Sequence, residues 1–127
     1  MGDHPNAATY REAHAAFASG DLEAFGAMLA QDVVWNTIGG ETIHGAEAVA
    51  DSMSGLVGLE FEISLHDVIA NDDHMVGLVE VHVTAGDKDI RYRTAEIHHM
   101  NAEGKVTERW AFSDDTQAIT DFFAAIG

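Results

Sequence analysis

Apolar and polar side chains alternate with a period of two through four runs in the second half of the chain, residues 59–69, 75–84, 90–99 and 106–113. The runs are separated by short polar segments rich in turn formers, at 71–73, 85–88 and 101–104. Alternation bounded in this way predicts consecutive antiparallel hairpins. The first half carries a longer period. Tyr10, His14 and Phe17 recur three or four apart, with Ala13 on the same face, so 7–18 reads as an alanine-rich helix that ends at Gly20. Asp21 is placed to cap a second short helix carrying Leu22, Phe25, Met28 and Leu29. A short strand over 32–36, a loop through Gly39 and Gly40, and a third helix from about 46 to 56 follow, the last with Val49, Met53 and Leu56 as its inward stripe. Ala118, Ile119, Phe122 and Phe123 share a helical face over 116–126, with Asp114 or Asp115 as the cap. Helices ahead of an antiparallel sheet predict an α+β fold in which the helices cover one sheet face. A chain of 127 residues fits a single domain over 1–127, given roughly 100 to 200 residues per domain.

Strand alternation also sorts side chains by face. One set comprises Leu78, Glu80 and His82 with Tyr92, Thr94, Glu96 and His98, and with Thr107, Arg109, Ala111 and Ser113. The opposite set is apolar: Val79, Val81, Val83, Ala95, Ile97, Val106, Trp110 and Phe112. If Met100 pairs with Lys105 across the last turn, Glu96 stands opposite Arg109. Such a pair either staples the sheet or forms the polar end of a site, with Glu96 handling a proton while Arg109 holds a ligand oxygen.

Composition narrows the partners. Six basic against 22 acidic side chains give a formal net charge of −16, which repels nucleic acid and anionic membranes. There is no cysteine, so disulfides and thiol chemistry are excluded. The start lacks the basic and apolar stretches of a signal peptide, and no apolar run is long enough to cross a bilayer, so the expected location is cytoplasmic. None of the eight histidines falls in a His-x-x-x-His helical pair, and His98 and His99 point to opposite faces of a strand, so no metal site is expected. No glycine-rich phosphate loop is present either, and the expected cofactor is none.

Five segments in order carry a resemblance: 17–22 (FASGDL), 29–35 (LAQDVVW), 43–49 (IHGAEAV), 66–73 (HDVIANDD) and 101–106 (NAEGKV). With this element order the chain resembles the nuclear transport factor 2-like superfamily, in its SnoaL-like branch. The resemblance implies a cystatin-like, cone-shaped fold, with a curved antiparallel sheet wrapped around helices, enclosing a small-molecule pocket. It also implies a homodimer through the convex sheet face. It places Glu96 inside the cone, which makes the polar set the pocket lining and the apolar set the dimer surface. Ketosteroid isomerase, a mechanistically understood relative, needs a base carboxylate, a tyrosine and a second acid. On its pattern these positions fall on Thr37, Ala13 and Glu96, so only the second acid is kept. The final-strand acid of a limonene-epoxide hydrolase-like group falls on Ala111.

The candidate catalytic residues are therefore Glu96, Arg109 and His14, and the candidate ligand contacts are Tyr10, Phe17, Trp35, Met53, His82 and Tyr92. Two readings stand. One is a pocket protein acting without a cofactor as an isomerase, cyclase or lyase by proton transfer on a small apolar or cyclic substrate; the other is a non-catalytic ligand-binding or dimerisation scaffold.

Overall fold

In the computed structural model, which describes residues 4–56 and 59–126, the first helix α1 (Pro5–Ala18) begins two residues before the apolar periodicity does. Pro5 is pre-set for a first helical position, and the His4 ring accepts the Asn6 N–H at 3.1 Å. Residues 1–3, part of the N-terminal reading above, lie outside the described set. Asp21 caps α2 (Leu22–Gly26) by accepting the Ala24 N–H at 3.1 Å. The second helix is shorter than its apolar spacing suggested. Met28 and Leu29 leave it because β1 (Leu29–Asn36) is drawn into the sheet beside β6 (Val106–Ser113), with the Val106 N–H donating to the Met28 carbonyl at 3.0 Å. Lys105 Nζ donates to the Ala27 carbonyl at 2.6 Å and ties the same corner.

The segment after the Gly39-Gly40 loop is also more ordered than expected. It forms a short strand, β2 (Thr42–His44), antiparallel to β1. Gly39 has a φ of 86°, and a Cβ there would overlap Thr120 Oγ1, so this loop packs tightly on the final helix. Helix α3 (Ala46–Ser54) ends before Leu56. Then β3 (Glu60–Ala70), β4 (His74–Ala85), β5 (Lys88–Met100) and β6 run as the hairpins the alternation predicts, and α4 (Thr116–Ile126) closes the chain. Its cap is Asp115, which accepts the Ala118 N–H at 3.0 Å, while Asp114 accepts from the Arg93 backbone and guanidinium.

The six strands lie in the order β2-β1-β6-β5-β4-β3 in one curved, unclosed sheet, with β1 parallel to β6 and the other neighbours antiparallel. One core cluster joins Ala7 and Tyr10 of α1 to Val33, Trp35, Val49, Met75 and Met100; a second packs Phe122 of α4 on Val79, Val81 and Val83.

Register corrects two expectations. The two-residue turn Gly86-Asp87 pairs Ala85 with Lys88, which sets Val81 opposite Tyr92 and Val79 opposite Thr94. Val79, Val81 and Val83 are thus inside and buried, while Leu78, Glu80 and His82 point outward, the reverse of the assignment from alternation. On the other hairpin Met100 pairs with Val106, not Lys105, and a bulge beside Met100 shifts the register once more. Glu96 consequently stands opposite Ala111, and Arg109 opposite His98. Because the total shift is two residues, Arg109 stays on the face of Glu96, whereas Val106 turns inward and Thr107 bonds His99 on the outer side.

Candidate functional site

The concave sheet face and the helices enclose a cavity of about 590 Å³, within the range of small-molecule pockets. Its wall is mainly apolar and aromatic, from Phe17, Phe25, Trp35, Met53, Phe61 and Phe123 among others. Polar chemistry gathers where Glu96 of β5 faces the first helix. Tyr10 reaches down from α1 and donates its phenol to Glu96 Oε1 at 3.3 Å; Thr94, two residues along the strand, donates to Oε2 at 3.1 Å. Arg109 Nη2 lies 3.7 Å from Oε1.

Arg109 is 8% exposed and held on several sides. Its guanidinium carbon lies 4.6 Å from the centre of the Trp35 ring, a cation–π contact, and Nη1 donates to the Asn36 carbonyl at 3.0 Å. Asn36 returns a bond from its amide to the Arg109 carbonyl at 3.0 Å, so β1 and β6 fix each other at this point. His98 fills the angle between Tyr10 and Trp35, edge-on to both at 5.4 and 5.9 Å between centroids. His98 Nδ1 and Arg109 Nε are buried with no hydrogen-bond partner among the described residues.

Burial sets the proton affinities. It lowers His98 to about 4, against an opposing effect of the Glu96 charge, so the imidazole is neutral at pH 7. Burial first, and then the neighbouring Glu96 charge, push Tyr92 up to about 12 and Tyr10 further in the same direction, with Arg109 opposing. Both phenols are therefore hydrogen-bond donors and not proton donors at neutral pH.

Of the residues singled out from the sequence, Glu96, Arg109, His14, Tyr10, Phe17, Trp35, Met53 and Tyr92 all line this one cavity. His82 does not. It lies on the outer sheet face, where Nε2 meets Asp89 Oδ2 at 2.9 Å and Nδ1 lies 3.7 Å from Glu62 Oε2, because the Gly86-Asp87 turn inverts the facing of β4. The ion pair of Glu96 and Arg109 is diagonal across the strands and not directly opposed. Thr37 and Ala13, at the two altered isomerase positions, also border the cavity, and Thr37 gives its hydroxyl to the Glu41 carbonyl at 2.8 Å. A tyrosine nevertheless reaches the acid, from one helical turn before Ala13.

The sequence reading set Thr94 and His98 on the pocket-lining face through their shared parity with Glu96 on β5, but named neither among the site residues. Gly77 it missed altogether. This glycine stands directly opposite Glu96 and borders Tyr10, and nothing in a lone strand glycine signals that. Among the described residues, no group of three or more His, Asp or Glu side chains is arranged to hold a metal ion, and no helix is long and apolar enough to cross a membrane.

No curated protein matches the chain significantly. Among solved structures, Bal32a from a soil-derived mobile gene cassette is 25% identical with a TM-score of 0.83, over 92% of this chain and 95% of its own. A nuclear transport factor 2-like protein of unknown function from Burkholderia pseudomallei is 24% identical, with a TM-score of 0.78 over 91% of this chain and 95% of that one. An epoxide hydrolase of the limonene-epoxide hydrolase-like type from Mycobacterium tuberculosis is 17% identical, with a TM-score of 0.76 over 95% and 88% of the respective chains. These likenesses agree in fold with the open sheet and its helical cover, and the family model for the SnoaL-like domain matches residues 10–109, from the tyrosine of α1 to the arginine of β6. The chain belongs to the SnoaL-like domain family.

Proposed function

We propose that this protein encloses a small apolar or cyclic molecule and acts on it without a cofactor, by proton transfer through Glu96, as an isomerase, cyclase or lyase. One observation carries the reading: a carboxylate fixed by Tyr10, Thr94 and Arg109 at the polar end of an otherwise aromatic cavity. A positioned base of this kind contributes roughly 10²- to 10⁴-fold to a rate. His14 borders the same space from α1 and is the second group in reach of a bound molecule. The test is solvent deuterium exchange into a panel of small cyclic ketones and esters. Wild-type protein is expected to catalyse exchange into at least one, and Glu96→Gln to abolish it with the fold intact. Exchange that survives in Glu96→Gln would refute the assignment.

A non-catalytic binding role is the second reading, favoured by Thr37, Ala13 and Ala111, which supply no further carboxylate or phenol to the site. Apart from Glu96, the acid bordering the cavity is Glu41, in the exposed loop. Binding without exchange across the panel would select it.

In either case the protein acts as a homodimer through the outer sheet face. Leu78, Ala95 and Phe112 follow one another across β4, β5 and β6, with Ile97 and Trp110 paired beside them. Phe112 is 59% exposed, and a continuous apolar patch of this kind marks an interface.

A further inference from the structure

We infer that the ligand carries a hydroxyl group that bridges Glu96 and Arg109 from the cavity, donating to the carboxylate and accepting from the guanidinium; this rests on the pocket reading above. The ion pair is open. Its 3.7 Å separation exceeds a direct hydrogen bond, and a polar contact of that length is of the kind a bridging oxygen closes. The donors that touch Glu96 or Arg109 directly are already engaged. Tyr10 and Thr94 each give their hydroxyl to Glu96, and Arg109 Nη1 is held by the Asn36 carbonyl. Arg109 Nε and His98 Nδ1 are without partners but show no surface to an incoming molecule.

What the ion pair itself leaves for a ligand is an acceptor and a donor side by side. A carboxylate has about four lone-pair positions, of which Tyr10 and Thr94 fill two. Glu96 keeps 23% of its side-chain surface, more than twice the 10% of Arg109, so the carboxylate is the more open half of the pair. Each class of ligand head group then meets a different fate. An ether oxygen accepts from Arg109 but gives Glu96 no further donor and faces its negative charge. A ligand carboxylate is repelled by Glu96 and by the net charge of −16. A hydroxyl satisfies both partners at once, and the rings around it, Trp35 and Tyr10 nearest, suit an aromatic or alicyclic carrier.

Titration calorimetry with four compounds of one ring frame tests this: naphthalene, 2-naphthol, 2-methoxynaphthalene and 2-naphthoate at pH 7. The wild-type protein is expected to bind 2-naphthol at least tenfold more tightly than naphthalene or 2-methoxynaphthalene, and 2-naphthoate most weakly. In Glu96→Gln, checked for its fold by circular dichroism, the advantage of 2-naphthol over naphthalene should shrink to within about threefold. The inference is overturned if the ether or the carboxylate binds the wild-type protein as tightly as 2-naphthol, or if the preference survives in Glu96→Gln. Failure of all four, naphthalene included, would instead overturn the pocket reading and remove the inference with it.

Discussion

The phenol of Tyr10 occupies the space that a side chain at position 77 would need. An ideal Cβ built on Gly77 overlaps the Tyr10 hydroxyl and Cζ and lies 2.7 Å from Cε1. Gly77 also pairs directly with Glu96 across β4 and β5. The bare backbone at this position therefore lets an aromatic ring from α1 settle on the sheet and deliver its hydroxyl to the acid beside it. The need here is for room and not for a left-handed backbone, since Gly77 has no positive φ.

Gly77→Ala is expected to displace Tyr10 and to lower stability by about 1 to 3 kcal/mol, the usual range for overfilling a packed core. The cost should nearly vanish in a Tyr10→Ala background, where the ring is gone. Urea unfolding of the four proteins of this cycle supplies the check, and additive effects would show that the two positions do not compete for the same space.

His98 makes stability depend on pH. Its folded-state pKa is depressed by burial to about 4 from 6.5, so below 6.5 the unfolded chain takes up a proton that the folded one does not. Stability contributed at neutral pH is therefore lost as pH falls from 6.5 towards 4, by roughly 3 kcal/mol at full extent. Comparing urea unfolding at pH 7 and pH 4.5, His98→Gln should lose clearly less stability than wild type. Equal losses would show that His98 does not carry the linkage.

Arg109→Met should cost about 3 kcal/mol, because it removes the cation from a largely buried pair, the stack on Trp35 and the bond to the Asn36 carbonyl together. Equilibrium unfolding measures this, and a neutral result would mean that the pair is not a structural tie. The strand junction of β1 and β6 should loosen too, seen as faster amide exchange at Val34 and Trp35.

Trp110→Glu is directed at the outer face, where Trp110 pairs with Ile97 beside the exposed Phe112. A carboxylate buried there without a partner is costly, so the variant should sediment as a monomer at micromolar concentration while the wild type sediments as a dimer. A wild-type monomer would end the dimer proposal.

The sequence by itself determined the order of elements apart from β2, the four long hairpin strands, the cap of the second helix, a choice of two adjacent caps for the last, and the common face of Tyr92, Thr94, Glu96 and His98. These follow from local rules: side chains alternate along a strand, recur on one face of a helix, and caps sit next to the residues they bond. Tertiary structure decided what lay across from what. The two-residue turn before β5 turned Val79 and Val81 inward and sent His82 to the outer face, and the Met100–Val106 pairing together with the bulge beside it moved Arg109 from Glu96 to His98. Pairing with β6 claimed Leu29 for a strand although its spacing suited a helix. The meeting of Tyr10 with Glu96 joins groups 86 residues apart over a glycine on a third element. No period in the sequence encodes such a contact, because register and long-range approach depend on how whole strands and helices seat against one another.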